Sequence, residues 1–299
     1  MKKLIALLLI LVFTVPFASA EATLDRAGNE ITLPENPMKV VCMNSAVAQT
    51  MEDLGLTDRI IACDTYSPVY VPALSTLPQF DLMVPDAEQI ATLEPDLVIV
   101  TSMSFVEGDN PYQALVDMGI CVAVVPSSGS IADIRGDILF VASMFGKEEA
   151  GQAMVDEMQA KIDEIAAIGA TITDKKSVFF EIGALPYLYS FGTGTFLDEM
   201  INLIGATNAM GDQQSWISVT EEAAIGANPD VILTSVNYID DPVAEIIARP
   251  GWENVTAVKD GAVYSIDNAS SSLANERIVK ALIEMAKAVY PEEYAGITE

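Results

Sequence analysis

The sequence predicts an α/β protein made of two similar lobes that are joined by one long helix. Short apolar runs alternate with helical segments along most of the 299 residues, which is the pattern of parallel sheets covered by helices on both faces. The alternation stops over one long stretch without proline, residues 147–168, and then starts again. A segment of the first half also repeats in the second half, which indicates that the two halves are related.

The first half contains four apolar runs of strand length. After a small hairpin at residues 23–33, we predict strands at 40–43, 59–63, 97–101 and 121–125, and helices at 46–54, 87–93 and 111–117. The second half repeats this arrangement after the long helical stretch. We predict strands there at 177–182, 231–235 and 263–266, and helices at 196–203, 243–248 and 276–289.

The middle of the chain is helical. Ser130 and Asp133 form a capping-box pattern before a first helix, and Gly146 interrupts it. In residues 147–168, Met158, Ile162 and Ile165 recur at helical spacing. Such a helix is about 30 Å long or more and could bridge two lobes, although an ordinary core-packing helix has the same periodicity. We therefore divide the chain into residues 1–20, a first lobe at 21–146, a linking helix at 147–169 and a second lobe at 170–299.

An internal repeat supports duplication of the lobe. Residues 86–100 align without gaps with residues 220–234. Both segments have a helix-capping residue, a glutamate two positions later, and Pro-Asp leading into an apolar strand. Glu88 and Glu222 therefore occupy equivalent places. The helix dipole favours a glutamate in a first turn anyway, so the symmetry is more informative than either residue.

The first twenty residues have the features of a secretory signal peptide. Lys2 and Lys3 precede the apolar stretch 4–13, and Ala18-Ser19-Ala20 is a small-residue cleavage site. The alternative, a membrane anchor, is disfavoured because the apolar run is short for a span. No cysteine follows that could carry a lipid anchor. We expect an exported protein, periplasmic or otherwise extracytoplasmic, with no membrane span after cleavage.

Composition excludes several classes of function. The chain has 43 acidic and 15 basic residues and a net charge of −28, so the basic face that a nucleic-acid-binding protein needs is missing. Histidine is absent, which removes Ser-His-Asp catalysis and imidazole metal sites. Three cysteines are too few for a disulfide scaffold. Cys42, Cys63 and Cys121 are predicted as small buried side chains. The sequence does not decide whether Cys42 and Cys63 form a disulfide.

Several segments resemble one family, and their order and spacing make the resemblance specific. They are Asp25-Arg26-Ala27-Gly28, Leu54-Gly55-Leu56-Thr57-Asp58-Arg59, Leu93-Glu94-Pro95-Asp96, Asn228-Pro229-Asp230, Pro250-Gly251-Trp252 and Val289-Tyr290-Pro291. Over nearly the whole mature chain, the sequence resembles the periplasmic substrate-binding proteins of iron-complex (siderophore or haem) and cobalamin ABC importers. The resemblance implies two Rossmann-like lobes joined by one long helix, the class III periplasmic-binding-protein architecture, with ligand in the cleft. It also implies a monomer in which one glutamate per lobe, here Glu88 and Glu222, docks onto arginines of a permease dimer.

Candidate ligand-binding residues follow from the rule that ligands lie outside the carboxyl ends of parallel strands. Aromatic side chains gather in the corresponding loops and could hold a large flat ligand. The candidates are Asn44, Ser45, Tyr66, Tyr70, Met103, Phe105, Tyr187, Tyr189, Trp216, Tyr238 and Arg277.

The scarcity of arginine constrains the ligand. Of the five arginines, Arg277 alone is placed to reach the cleft, and Glu276 beside it could offset its charge. We therefore expect a corrinoid or a neutral or cationic metal chelate, with iron or cobalt carried by the ligand and no resident cofactor or metal. Haem is less favoured because no histidine can ligate its iron, although tyrosine could. Free zinc or manganese is even less favoured than haem, because imidazole is the commonest protein ligand for such ions.

The function predicted from the sequence is capture of such a ligand between two lobes and delivery to an ABC importer, without enzymatic activity. The alternatives are an exported small-ligand hydrolase and a ligand-sensing subunit on the same scaffold. Paired acids could act as general acid and base, but Glu88 and Glu222 belong to separate lobes, and the sequence has no readable pairing of nucleophile and base.

Overall fold

The fold consists of two parallel sheets, each flanked by helices, and a computed structural model describes it for residues 22–105 and 109–298. The predicted signal peptide lies outside the described residues. The strands are β1 Ala22–Leu24, β2 Glu30–Thr32, β3 Val40–Met43, β4 Ile60–Asp64, β5 Gln79–Phe80, β6 Leu97–Val100, β7 Cys121–Val124, β8 Ser177–Glu181, β9 Tyr189–Phe191, β10 Thr207–Asn208, β11 Trp216–Ser218, β12 Val231–Thr234 and β13 Val263–Ser265.

Helices fill most of the connections between these strands. They are α1 Ser45–Asp53, α2 Ser67–Tyr70, α3 Ala87–Thr92, α4 Gln113–Asp117, α5 Ile131–Met144, α6 Glu148–Gly169, α7 Phe196–Leu203, α8 Glu221–Ala227, α9 Pro242–Ile247, α10 Thr256–Lys259, α11 Asn268–Ser272 and α12 Ile278–Val289. Within the described ranges, no helix is both long enough and apolar enough to cross a membrane.

Each lobe is built on one of the two sheets. The first has the order β5-β4-β3-β6-β7 and the second β10-β8-β12-β13, and all strand pairs in both are parallel. The pairs β1–β2 and β9–β11 are antiparallel. The predicted fold class, two α/β lobes, is confirmed. The β9–β11 pair was not predicted, because its strands are three residues long and lack an apolar run.

The central strands are apolar throughout because both of their faces are covered. In β3, Val40 and Cys42 belong to one core cluster, and Val41 and Met43 to another on the opposite face. In a parallel sheet packed between helices, alternation between polar and apolar residues is lost for this reason.

Two antiparallel helices, and not α6 alone, connect the lobes. As predicted, α6 is one continuous helix, and it starts one residue after the predicted start. The preceding helix α5 also bridges, because Ile131 lies in the core of the second lobe and Phe145 in the core of the first. The Ile131 amide donates to Glu199 Oε2 of α7 at 2.9 Å. The domain boundaries that we drew at residues 146 and 169 stay predictions.

The internal repeat has the same backbone geometry in both lobes. Glu94 and Asn228, the residues before the two prolines, both adopt positive φ, at 51° and 43°. Each following aspartate then binds the backbone at the start of its lobe's central strand. Asp96 Oδ2 accepts from the Lys39 amide at 2.9 Å, and Asp230 Oδ2 accepts from the Ser177 amide at 2.8 Å.

Candidate functional site

A cavity of about 700 Å³ lies between the two lobes. All five strands of the first sheet point their carboxyl ends at it, as the rule for open parallel sheets predicts. The first lobe and the bridging helix α5 supply most of its wall. The lining residues are Asn44, Ser45, Ala46, Val47, Thr50, Tyr66, Tyr70, Leu82, Met83, Thr101, Ser102, Met103, Val125, Pro126, Ser127, Ser128, Asp137, Ile138, Val141, Tyr189, Phe196, Trp216, Ser272, Leu273 and Ala274.

Aromatic side chains form the facing wall on the second lobe. Tyr189 and Trp216 come from the β9–β11 pair, and Phe196 from the first turn of α7. The Trp216 ring meets those of Phe191 and Phe196 edge-on, with centroids 6.0 and 6.1 Å away. Trp216 is 37% exposed, so the ring is supported from behind and still accessible to a ligand.

Polar groups of the first lobe are held in place by the ends of strands. Asn44 caps α1, since its Oδ1 accepts from the amides of Ala46 and Val47, and its Nδ2 donates to the Val125 carbonyl at 3.1 Å. Ser45 Oγ donates to the buried Asp64 carboxylate at 3.2 Å. This wall therefore offers a ligand fixed hydroxyl and amide groups.

Asp137 is the only ionisable acid or base in the described lining, apart from two tyrosines on the first lobe and one on the second. Its carboxylate pairs with Arg26 Nε and accepts from Ser128 Oγ. Burial raises the pKa of Asp137 above its ordinary value, although the bonds from Arg26 and Ser128 act in the opposite direction. Arg26 lies behind the wall, so the described surface of the cavity has no positive charge.

Glu88 and Glu222 hold the same position on α3 and α8. Each is the second residue of a short helix, and the residue before the helix caps the third amide, Asp86 for Gln89 at 2.9 Å and Thr220 for Ala223 at 3.2 Å. Both glutamates are exposed, and neither side chain forms a hydrogen bond or ion pair with another described residue. Because each helix leads back to the start of a strand, we expect its first turn to lie toward the carboxyl edge of the sheet.

A family model for the periplasmic binding protein family matches residues 40–269. The chain belongs to this family. The match confirms the resemblance that the sequence segments predicted, and it spans both sheets and the helices between them.

The relatives of this periplasmic binding protein resemble it over most of their length. The uncharacterised ABC transporter substrate-binding lipoprotein YvrC of Bacillus subtilis is 29% identical over 275 residues, which cover 91% of this chain and 86% of YvrC. A cobalamin-binding protein of Halobacterium salinarum is 26% identical over 279 residues, 89% of this chain and 73% of its own. The solved molybdate periplasmic binding protein MolA of Haemophilus influenzae has a TM-score of 0.81 at 20% identity, with 93% of each chain covered, and shows the same fold.

Seven of the eleven predicted ligand-binding residues line the cavity of this periplasmic binding protein. They are Asn44, Ser45, Tyr66, Tyr70, Met103, Tyr189 and Trp216. Three aromatic candidates do not. Phe105 packs on Tyr112, with ring centroids 6.5 Å apart, Tyr187 is 86% exposed, and Tyr238 is 68% exposed with its hydroxyl accepting from the Ala184 amide. Their loops follow strands, but these three side chains are not part of the described lining.

Arg277, the fourth exception, is occupied elsewhere. Its Nε donates to Asp53 Oδ2 at 2.8 Å and its Nη2 to Glu52 Oε2 at 2.7 Å, at the end of α1. In the described structure Arg277 does not line the cavity, because two carboxylates of the other lobe hold it. Its contact with the ligand stays a prediction. We call this contact between the lobes the interlobe clasp, which consists of Gln49, Thr50, Glu52, Asp53, Asn275, Glu276 and Arg277.

Sequence reasoning missed Asp137, Phe196 and the serines at 127 and 128. The serines lie in the loop after β7, beyond Val125 and Pro126, and could have been found with the rule that found Asn44. Asp137 could not have been found with this rule, because it lies inside α5. We had assigned that helix to the first lobe and did not expect it to bridge the cleft.

The described residues contain no group of three or more acidic or cysteine side chains that could hold a metal ion. Cys42 and Cys63 face each other in register on β3 and β4 as separate thiols. Burial raises the pKa of the Cys63 thiol to about 11 and also raises that of Cys42, so neither is a reactive thiolate at neutral pH.

Proposed function

We propose that this protein is an extracytoplasmic solute-binding protein that captures a corrinoid or a metal chelate of little negative charge and delivers it to an ABC importer. The observation that carries the proposal is the cavity between the lobes. Its volume of about 700 Å³ is within the range of sites for ligands of drug size or larger. The name of the Halobacterium relative, a cobalamin-binding protein, supports a ligand of this size.

The two walls suit a ligand with an apolar plane and a polar rim. Trp216 and Phe196 offer ring surface, and Asn44 and Ser45 offer fixed hydrogen-bonding groups. Asp137 is the charged side chain of the described lining, and its charge is balanced by Arg26. A dianionic or trianionic chelate would therefore find no free basic side chain in the described wall. The charge argument from the sequence thus gains support although Arg277 is not part of the site. Any iron or cobalt would belong to the ligand.

Docking onto the importer follows from the position of Glu88 and Glu222. Equivalent carboxylates on two related lobes suit a partner with two-fold symmetry, and both flank the edge where the cavity opens. We propose that each meets an arginine of one permease subunit, so that the mouth of the cavity faces the translocation path. The protein would act as a monomer, with two lobes for two subunits.

The first twenty residues support export, and the name of the Bacillus relative includes the word lipoprotein. We propose export without a lipid anchor for this chain, because no cysteine lies between the apolar stretch and Cys42 in the first predicted strand of the lobe. The hydrolase alternative finds no support at the cavity, where Asp137 is engaged by Arg26 and Ser128 and no second carboxylate belongs to the described lining. The alternative of a ligand-sensing subunit is tested by measuring ligand uptake in cells, which a sensing subunit would not support.

Calorimetric titration against a panel of probes tests the proposal. The panel contains cyanocobalamin, cobinamide, haemin, a neutral ferric siderophore, ferric citrate and molybdate. We expect tight binding of a neutral or cationic member, and tight binding of ferric citrate or molybdate alone would contradict the charge argument. Asp137→Asn serves as the matched variant, since it keeps the shape of the wall and removes the charge, and it should improve binding of the anionic probes relative to the neutral ones.

A further inference from the structure

The interlobe clasp lies directly behind the cavity. Asn275 Nδ2 donates to Gln49 Oε1 at 2.8 Å, and both residues are buried. Thr50, which lines the cavity, donates through Oγ1 to Glu276 Oε2 at 3.0 Å. The clasp thus ties α1, which together with its cap Asn44 contributes five residues to the cavity, to residues 272–274 of the opposite wall.

One oxygen of Glu276 has no conventional partner. Oε1 is shielded from solvent and accepts no hydrogen bond from a described residue. The Asp53 carboxyl group lies within hydrogen-bonding reach of the Glu276 carboxyl group. Two ionised carboxylates have only acceptors and repel each other, so a hydrogen bond between them requires one proton.

The surroundings place this proton on Glu276. Arg277 donates two hydrogen bonds to Asp53, from Nε and from Nη2, both at 2.8 Å. Although burial acts in the other direction, these bonds hold the pKa of Asp53 below its ordinary value. Burial and the neighbouring Asp53 raise the pKa of Glu276 to about 8. The charged groups of the clasp are Glu52 and Asp53 on α1 and Arg277 beside Glu276, while Thr50, Gln49 and Asn275 are neutral.

We propose that Glu276 is a positioning residue for the ligand cavity, and that its neutral carboxyl group joins the lobes by donating to Asp53 while accepting from Thr50. Loss of the proton places two negative charges side by side between the lobes and loosens α1, and with it Asn44, Ser45 and Thr50 in the wall. The role in ligand binding rests on the proposed function, whereas the protonated contact does not.

The contribution of this proton to stability has a defined sign. The pKa of Glu276 is raised in the folded state from 4.5 to about 8, so the stabilisation is fully present below the unfolded pKa and is lost as the pH rises toward the folded pKa. The free energy of unfolding should therefore fall between about pH 4.5 and pH 8 on account of this one group.

Unfolding of the ligand-free protein by urea between pH 5 and pH 9 tests the contact. Glu276→Gln keeps the shape and can donate to Asp53 and accept from Thr50 at every pH, and Glu253→Gln changes an exposed glutamate as the matched control. We expect the ratio of the wild-type unfolding constant to that of Glu276→Gln to rise by about tenfold or more from pH 5 to pH 8.5. The ratio of wild type to Glu253→Gln should stay constant.

Carbon NMR of the side-chain carboxyl groups provides a second measurement on the folded protein, with the Glu276 signal assigned by its absence in Glu276→Gln. A titration midpoint near 8 supports the proposal. A midpoint near 4.5, or parallel unfolding curves for wild type and Glu276→Gln, would overturn it.

Binding of cyanocobalamin at pH 6.5 and pH 9 then tests the link to the cavity. Wild-type affinity should fall by about threefold or more at the higher pH, and that of Glu276→Gln should not. Equal pH dependence in both proteins would overturn the positioning role. A failure to bind cyanocobalamin at either pH would count against the proposed ligand class only, and the binding comparison would move to the panel member that binds.

Discussion

The two lobes are alike at the helices that carry Glu88 and Glu222 and differ at the cavity. On the outside, both lobes repeat a capped short helix, a residue with positive φ, a proline and an aspartate that binds the neighbouring strand. At the cavity, the first lobe offers the ends of five strands, and the second offers the β9–β11 pair and the start of α7.

This difference reflects two requirements on a fold made of two related lobes, one from the docking partner and one from the ligand. A partner with two-fold symmetry needs the same contact from each lobe. A ligand without such symmetry can be met by two different walls. Here the first lobe offers strand ends with hydroxyl, amide and tyrosine groups, and the second offers the rings of Tyr189, Phe196 and Trp216. The β9–β11 pair meets the second requirement because it carries Tyr189 and Trp216 across the carboxyl edge of the second sheet.

The largest effect is expected from breaking the symmetric feature. The double change Glu88→Ala with Glu222→Ala should abolish uptake of the transported ligand in cells. In the proposed docking, each change leaves a permease arginine unpaired, which costs more than the lost ion pair contributed. Ligand affinity and thermal stability should stay near wild type, since both side chains are exposed and outside the cavity.

The matched control for this experiment is Glu157→Ala with Glu253→Ala, which removes two exposed glutamates at unrelated positions. Uptake that persists in the first double variant would show that the symmetric glutamates serve only as favourable charges at helix starts.

A large effect on ligand binding is expected from the aromatic wall. Trp216→Ala should weaken ligand binding by about 2 kcal/mol, roughly 30-fold, as for a buried aromatic anchor. Calorimetry is the suitable measurement because the variant removes one of only two tryptophans. Tyr187→Ala is the control from the same lobe, and its 86% exposed side chain should leave the affinity unchanged. Equal losses in both variants would mean that the cavity extends to Tyr187.

The same comparison shows how far sequence reasoning reaches. In the first lobe, each strand leads directly to the cavity, so the rule for carboxyl ends found Asn44 and Ser45 from their positions, and Tyr66 as an aromatic residue in a loop that the rule selected. In the second lobe, the rule selected Tyr238 after β12, where the backbone turns the side chain outward to meet the Ala184 amide. The rule also selected residues 183–195 and 213–218, where Tyr189 and Trp216 were chosen as aromatic residues. The strands that carry them were not predicted, because strands of three residues leave no periodic signal.

The bridging role of α5 was not visible for a different reason. Its apolar residues follow one continuous helical pattern, and the pattern does not tell which core each residue enters. Ile131 and Phe145 look alike in the sequence but lie in different lobes. Asp137 lies between them, and tertiary packing alone turns it toward the cleft.

A moderate effect on stability is expected from the cap of α1. Asn44→Ala removes a buried N-cap that also ties α1 to the Val125 carbonyl, and should lower the free energy of unfolding by about 1 to 2 kcal/mol. Thr220→Ala, which removes an exposed cap in the second lobe, should cost less than Asn44→Ala, about 1 kcal/mol or below. Urea unfolding of both variants gives the comparison, and an equal or larger loss for Thr220→Ala would contradict the special role of the Asn44 side chain.

The smallest effect is expected from Arg277. Its side chain is about one-third exposed and is held by Asp53 and Glu52, and ion pairs of this kind contribute about 1 kcal/mol or less to stability. Arg277→Gln should therefore lower the free energy of unfolding only slightly. The more informative measurement is the affinity for a neutral and an anionic probe, cyanocobalamin and ferric citrate, in wild type and variant. Because Arg277 faces the end of α1 and not the cavity wall, the variant should change both affinities by the same factor. A selective loss of ferric citrate binding would mean that Arg277 leaves the interlobe clasp to meet the ligand, and the inference from charge to a neutral or cationic ligand would then be wrong.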